Sequence, residues 1–307
     1  MCAVGASSRS QLWTARVLDN KPVCQEHLRL SLCVSEFSPA GPGQFIHFRP
    51  HDGPAGPDGQ AKDGGVGVDP PRPFLRRAFS IGGLRRTAGG CEIELIYRVV
   101  GAGTRWMSGL RSGDAVDGIG PLGHAFAPPP ETSTACLVAG GVGLPPLLWF
   151  ARQLRAAGRQ AVLFLGARSG DLLALNVARQ EGRLIAGELP DTPVVLATDD
   201  GSVGFCGTVV EAFQAYMADE KPDEPGVTVY ACGPEVMMGA VARYCAARSW
   251  PCYVCLERAM ACGIGTCQSC VVPVKDASDP EGWRYALCCA EGPVFEAVEV
   301  LWDGPSG

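Results

Sequence analysis

Cys262, Cys267 and Cys270 stand at C-x4-C-x2-C spacing in CLERAMACGIGTCQSC, residues 255–270, with Gly263 and Gly265 inside the first interval. Thiolates so spaced hold a metal centre, and two centres compete. Zinc takes four ligands around one ion, commonly from two C-x2-C pairs, and Cys252/Cys255 with Cys267/Cys270 supply that count. Residues 251–256 read as a strand, however, where positions three apart face opposite sides, and no turn residue bends Cys252 and Cys255 together. Zinc also leaves Cys262 unused. A plant-type [2Fe-2S] ligand run instead uses Cys262, Cys267 and Cys270 plus one distant cysteine. Gly263 and Gly265 then permit positive φ and close approach, so that backbone N–H groups can point at the cluster. The fourth sulfur must come from Cys288 or Cys289, both just ahead of EGPVF. Spacing and glycine placement agree on iron and sulfur, over zinc or plain buried thiols.

Four further stretches could bind a nucleotide. In LRRAFSIGG, residues 75–83, Arg77 and Ser80 at the end of a strand can set a guanidinium against a diphosphate while the backbone of Ala78 and Phe79 lies along a flavin edge. A surface arginine before an edge strand is the ordinary alternative for that tetrapeptide alone. In IYRVVGAGTRWMSGL, Gly101 and Gly103 lead through Thr104 into a helical segment, a loop-to-helix junction whose free N–H groups suit phosphate. An ordinary helix cap would look the same. Together the two stretches describe a flavin diphosphate clamp better than either does alone.

CLVAGGVGLPPLL, residues 136–148, has the strand, glycine loop and helix order of a dinucleotide site, with Gly140, Gly141 and Gly143 in the loop. Pro146 stands where the third fingerprint glycine belongs. Pro145 and Pro146 fit a first helical turn, where a missing N–H costs nothing, so phosphate binding survives although standard Rossmann geometry does not follow. A core strand and turn is the plainer alternative. YACGPEVMM ends a strand at Cys232, Gly233 and Pro234. Ligands of open parallel sheets sit at such carboxyl ends, which puts Cys232 where a nicotinamide could meet a flavin; a lone buried thiol would otherwise be structural.

Three regions must position these groups. Residues 1–127 carry short alternating apolar runs (LRLSLCV, GQFIHFRP, CEIELIYRVV) broken by Gly and Pro, the pattern of an antiparallel barrel or sandwich. Within them, residues 50–71 form a Gly, Pro and Asp cluster expected as a mobile surface insertion. Pro128, Pro129 and Pro130 make a linker. Residues 131–249 alternate apolar runs with amphipathic helical segments, the signature of a parallel sheet covered on both faces. Residues 250–307 hold the cysteine cluster.

The 307 residues are 47% hydrophobic and 19% charged with net charge -6, which is globular and gives no electrostatic footprint for nucleic acid. Fifteen cysteines spread along a chain whose start, MCAVGASSRSQLW, lacks the segments of a secretory signal read as reduced thiols in a cytoplasm. The uncharged stretch from Thr132 to Ala151 is long enough to span a bilayer, but GGVGLPP in its middle would leave backbone groups unpaired in lipid, so strand, loop and helix is the expectation and no membrane span. Asp199 and Asp200, after the strand VVLAT, would repel a 2'-phosphate and favour NAD over NADP; Arg168 argues the other way.

Taken in order, LRRAFS, YRVVGAGT, GPLGHAF, AGGVGLPP, ACGPEVM, ACGIGTCQSC and CAEGPVF resemble the electron-transfer subunits of NAD-linked dihydroorotate dehydrogenase B, within the ferredoxin reductase superfamily. The resemblance runs from about Leu12 to Val300. It implies a multidomain β and α/β protein: an N-terminal Greek-key FAD barrel, a Rossmann-like NAD domain and a small C-terminal [2Fe-2S] domain. It places flavin contacts on Arg77, Ala78, Phe79 and Ser80, on Ile96, Tyr97 and Arg98, and on Gly103 and Thr104. It places cluster ligands on Cys262, Cys267, Cys270 and, counting back from Gly292, on Cys289. Ala78 and Phe79 depart from the family's usual Pro and smaller apolar residue, and the 50–71 insertion is longer than expected. The implied activity is a relay among NAD, FAD and the cluster to or from the FMN of a separate catalytic subunit, in a heterotetramer of two of each, that oxidises dihydroorotate to orotate. The reductase of another complex (an oxygenase, hydrogenase or sulfur reductase) and a zinc-bearing non-enzymatic module are the rival expectations.

Overall fold

The computed structural model describes residues 10–50, 75–129, 132–180, 183–187, 189–220 and 226–304. The expected insertion at 50–71, beyond Pro50, and the linker residue Pro130 lie outside them.

The first sheet comprises β1 (Gln11–Cys24), β2 (His27–Val34), β3 (Phe45–Arg49), β4 (Arg77–Ser80), β5 (Gly83–Thr87), β6 (Gly90–Arg98) and, after the short helix α1 (Ala102–Ser108), β7 (Ala115–Leu122). Its order is β4-β3-β7-β1-β2-β6-β5, with every pairing antiparallel. The steps from β2 to β3 and from β6 to β7 cross over intervening strands, as in a Greek key. Successive side chains of a strand face opposite sides, so alternate residues supply the interior. Trp13, Ala15 and Val17 do so from β1, Leu30, Leu32 and Val34 from β2, and Ile93, Leu95 and Tyr97 from β6.

The second sheet begins with β8 (Thr134–Gly140), followed by α2 (Leu144–Ala156) and β9 (Gln160–Ala167). It continues through β10 (Val177–Gln180), β11 (Arg183–Ala186), β12 (Leu189–Thr198), β13 (Phe205–Cys206), α3 (Val209–Glu220), β14 (Val227–Cys232), α4 (Glu235–Ala246) and β15 (Cys252–Cys255). Beyond β15 come β16 (Val271–Lys275), β17 (Trp283–Leu287) and β18 (Val294–Glu296). The order is β10-β11-β12-β9-β8-β14-β15-β18, with β13 on β12. The middle, from β12 to β15, is parallel, as the apolar runs predict. Both margins are antiparallel, because β10–β11–β12 is a meander and β18 returns beside β15.

Every residue of β14 is buried, as a strand covered on both faces requires. Leu137 and Ala139 of β8 pack with α2 on one face. Cys136 and Val138 pack with α3 and α4 on the other. Pro145 and Pro146 fall in the first turn of α2, where no intrahelical donor is lost. The segment from Thr132 to Ala151 is therefore strand, turn and helix, and among the described residues no helix is long and apolar enough to cross a membrane.

The chain beyond position 250 is joined to this sheet through β15 and β18, while β16 and β17 form a hairpin of their own. Phe126, in the segment after β7, stacks on Phe150 of α2 with ring centroids 5.4 Å apart and meets Tyr230 of β14 edge-on at 5.5 Å. Such ring pairs contribute about 0.5–1.5 kcal/mol each beyond burial. The barrel is thereby packed onto the second sheet.

Candidate functional site

The carboxyl ends of the parallel strands open onto two adjoining cavities, where open sheets place their ligands. One, of about 950 Å³, is walled on the barrel side by Arg77, Ala78, Phe79 and Ser80 of β4, by Ile96, Tyr97 and Arg98 of β6, and by Gly103 and Thr104 of α1. Gly143 and Cys232 face it from the second sheet. The other, of about 610 Å³, is walled by Gly140, Gly141, Gly233 and Pro234, together with Arg168 and Asp199. Arg98, Val142, Gly233, Glu257 and Arg258 border both, so the two cavities meet beside Cys232. The expected flavin residues, the loop glycines and Cys232, Gly233 and Pro234 thus border one or other of two adjoining spaces.

Local chemistry separates their roles. Arg77 Nη1 donates only to the backbone carbonyls of Leu75 and Arg76 among the described residues, which leaves its charge for an incoming anion. Thr104 does not point a free hydroxyl at the cavity. The helix already begins at Ala102, and the N–H groups of Val100 and Gly101 donate to Thr104 Oγ1 at 2.9 and 3.0 Å. Tyr97 is buried, donates its hydroxyl to Asn20 Oδ1 at 3.1 Å, and is pushed up to about 12 by that burial. It offers the cavity a ring and backbone rather than an acid. Arg98 is ion-paired with Glu26.

The glycine loop is tight where it must be. Gly143 is so close to the end of β14 that a Cβ would lie 2.0 Å from the Cys232 carbonyl oxygen. Gly141 has φ of +52°, a conformation that L side chains rarely adopt. Asp199 lines the smaller cavity. Asp200 is spent on its own turn, accepting from Ser202 N at 3.0 Å and Ser202 Oγ at 2.6 Å, bonds that hold its carboxyl below the ordinary range. Only one of the two aspartates expected to select NAD therefore borders the site.

The cysteine loop, residues 257–270, packs against the barrel and forms the remaining wall of the larger cavity through Met260, Ala261 and Ser269. Gly263 and Gly265 have φ of +73° and +85°. Gly263 has no room for a Cβ, which would fall 2.7 Å from His47 Nδ1. His47 is fully buried on β3, and its Nδ1–H donates to the Cys262 carbonyl at 3.1 Å. Burial pushes the imidazole below its ordinary range.

The loop's N–H groups turn toward sulfur. Ile264 and Cys267 N donate to Cys262 Sγ at 3.5 and 3.4 Å, Gly265 N to Cys289 Sγ at 3.1 Å, and Cys289 N to Cys270 Sγ at 3.4 Å. The side chains meet as two pairs, Cys262 with Cys267 and Cys270 with Cys289. Hydrogen bonds, first from the Ser269 side chain, lower Cys267 to about 6, whereas burial raises Cys289 to about 12. Two thiolates on each of two irons is the donor set of a binuclear cluster, and backbone N–H groups around it offset the negative charge.

The competing cysteines are occupied elsewhere. Cys288 Sγ donates to the Leu256 carbonyl at 3.5 Å and is fully buried. Cys252 meets Cys245, and Cys255 meets Cys232, so the C-x2-C pair of β15 does not converge with Cys267 and Cys270. Among the described residues, no three Cys, His, Asp or Glu side chains gather on a single point.

Two family profiles match the chain. Residues 137–243 match an oxidoreductase NAD-binding domain, and residues 257–301 match the iron-sulfur cluster binding domain of dihydroorotate dehydrogenase B. The electron transfer subunit of dihydroorotate dehydrogenase B (NAD(+)) from Desulforamulus reducens is 36% identical over 264 residues, 86% of this chain and 88% of that one. This chain belongs to that family. The Bacillus cereus member is 35% identical over 85% of this chain and 86% of its own. Among solved structures, an NADH-dependent reduced ferredoxin-NADP oxidoreductase described for flavin-based electron bifurcation matches with a TM-score of 0.72 and 25% identity, covering 94% of this chain and 90% of its own. Phthalate dioxygenase reductase shares the fold alone, at a TM-score of 0.54 and 17% identity over 90% of this chain and 76% of its own. For a dihydroorotate dehydrogenase B electron-transfer subunit, the walls drawn from the cysteine loop were the part hidden in the sequence. Glu257, Arg258, Met260 and Ala261 carry no motif of their own and reach the cavities only because β15 joins the sheet.

Proposed function

We propose that this chain is the pyridine-nucleotide side of a dihydroorotate dehydrogenase, exchanging electrons with an FMN-containing catalytic subunit that interconverts dihydroorotate and orotate. Its cofactors are FAD, NAD and a [2Fe-2S] cluster. The observation that carries this is the shared wall. The β4 residues, the end of β14 at Cys232 and the cysteine loop all border one cavity. FAD bound there would supply the exchange between a hydride's electron pair and single electrons for a one-electron centre.

The chain's own residues bind, orient and exclude water. Arg77 supplies a positive charge to the FAD diphosphate, and residues 78–80 with Ile96 and Tyr97 bound the ring system. Gly140, Gly141 and Gly143 let the NAD backbone approach the loop, with Gly233 and Pro234 opposite. Cys232 marks the floor where nicotinamide and flavin meet. Asp199 repels a 2'-phosphate, which favours NAD. Cys262, Cys267, Cys270 and Cys289 would hold the cluster. The regions 1–127, 131–249 and 250–307 serve FAD, NAD and the cluster in that order. The reduced state of its thiols suits the cytoplasm, and two copies with two catalytic subunits form the assembly we expect.

The test is reconstitution. Holoprotein mixed with the FMN subunit should reduce NAD with dihydroorotate as donor. An FMN subunit that oxidises dihydroorotate with an artificial dye, yet passes no electrons to NAD through this chain, would refute the assignment.

A further inference from the structure

Two thiols lie side by side in the wall of the flavin cavity, and only one was anticipated. Cys232 ends β14 and Cys255 ends β15. The strands are parallel neighbours, and these residues are partners in register, so their Cβ atoms leave the same face of the sheet. Neighbouring strands are about 4.8 Å apart, inside the roughly 4.4–6.8 Å Cα separation that a disulfide spans. The two side chains interact with one another. Both border the larger cavity, at 8% and 3% exposure, so a small solute in that space reaches them without the sheet opening. Cys255 Sγ otherwise donates only a long contact to the Gly43 carbonyl, at 3.8 Å, among the described residues.

We infer that Cys232 and Cys255 are a modification site, a vicinal dithiol that a peroxide closes to a disulfide. The chemistry balances within the pair. Cys232 sulfur attacks one peroxide oxygen, the O–O bond breaks, and the thiol proton leaves with the other oxygen as water, giving a sulfenic acid. Cys255 sulfur then attacks the sulfenic sulfur, the S–O bond breaks, and the second thiol proton leaves with that oxygen as a second water. Two thiols and one hydrogen peroxide become one disulfide and two waters, the sulfurs losing two electrons and the peroxide gaining them. Cys232 is the attacking sulfur because it keeps the larger exposure to the cavity, 8% against 3% for Cys255, so the peroxide meets it first. A dithiol reductant reverses the step by exchange.

The consequence for electron flow rests on the function proposed above. Cys232 is where nicotinamide and flavin meet, so drawing its sulfur toward β15 alters that floor and slows hydride transfer while leaving the cluster's four sulfurs untouched. Oxidation of the pair is then a brake on the NAD side.

The experiment separates the two claims. Holoprotein is treated with limiting hydrogen peroxide under anaerobic conditions, alkylated and digested without reduction. The expected product is one cross-linked species joining the peptides of Cys232 and Cys255, lost on treatment with dithiothreitol. It should be absent from C255S, whose hydroxyl replaces the thiol with little change in volume. Recovery of Cys232 and Cys255 on separate alkylated peptides, or of Cys255 joined to Cys288, would overturn the site whatever the protein's activity. On the same samples, NADH reduction of FAD should slow several-fold in the native protein relative to its untreated rate and recover with dithiothreitol. C255S should lose less of its own untreated rate. A mapped disulfide with unchanged FAD reduction would leave the modification standing and overturn the brake.

Discussion

Gly143→Ala tests the geometry on which nucleotide approach depends. The added Cβ would lie 2.0 Å from the Cys232 carbonyl oxygen, 2.3 Å from its carbon and 2.6 Å from Gly233 N. All three are backbone atoms at the end of a buried strand, so no side chain can swing aside. Restoring a contact of 3.0 Å, the closest that real Cβ atoms show, needs a separation of about 1 Å between the glycine loop and Cys232. Overpacking of this kind costs about 1–3 kcal/mol of stability. A misplacement of about 1 Å between reacting groups can cost on the order of a hundredfold in rate.

The assay is stopped-flow reduction of FAD by NADH at saturating NADH, with thermal unfolding followed on the same preparation. G143A is expected to reduce FAD on the order of a hundredfold more slowly, to unfold at lower temperature and to keep its cluster. Gly141→Ala is the control. Its φ of +52° strains any side chain by about 1–2 kcal/mol, but among the described residues no atom beyond its chain neighbours lies within 4 Å of the new Cβ, so the loop need not move and the rate should fall much less. Native rate and native unfolding temperature in G143A would refute the claim that the loop and Cys232 are held in close register.

Other perturbations act on separate parts of the site. Cys289→Ser should yield protein without an intact cluster, whereas Cys288→Ser should keep the cluster's visible absorption; the reverse result would exchange their roles. Arg77→Ala should release FAD during gel filtration, and full flavin occupancy afterwards would remove Arg77 from the diphosphate site. In cluster-free protein, Cys267 should react with iodoacetamide at a nearly constant rate above neutral pH, at half that rate near pH 6 and more slowly below, because its lowered value keeps it mostly thiolate at neutral pH. An ordinary cysteine, near 9.0, would already slow below pH 9. A Cys267 profile of that ordinary kind would contradict the hydrogen bonding drawn from Ser269.

What the sequence revealed was the chemistry carried by short, local patterns. Alternation in LRLSLCV and CEIELIYRVV revealed the barrel because one face of each strand is buried and the other is not. The continuous apolar runs of β8 and β14 marked strands covered on both faces. C-x4-C-x2-C with two glycines marked the cluster loop because positive φ and N–H donation are local demands.

Relations between distant segments were not legible. β15 and β18 are four and three residues long, too short for periodicity to show that the cysteine region completes the second sheet. Asp199 and Asp200 look equivalent in TDDGS, yet Ser202 claims one of them. The Gly101 to Thr104 junction read as free N–H groups for phosphate, yet the N–H groups of Val100 and Gly101 donate to Thr104 Oγ1. Cys255 entered the sequence reading only as half of a zinc pair that a strand could not close, and the register of β14 and β15 sets it beside Cys232.

The most direct test of the relay is electron paramagnetic resonance of anaerobically prepared holoprotein after NADH is added. Electrons entering at the NAD cavity must cross the flavin to reach the four paired sulfurs, so NADH alone should produce the rhombic signal of a reduced binuclear iron-sulfur centre, and Cys267→Ser should abolish it while FAD is still bleached. A protein that binds FAD and is bleached by NADH, but gives no such signal even with a strong chemical reductant, would contradict the account.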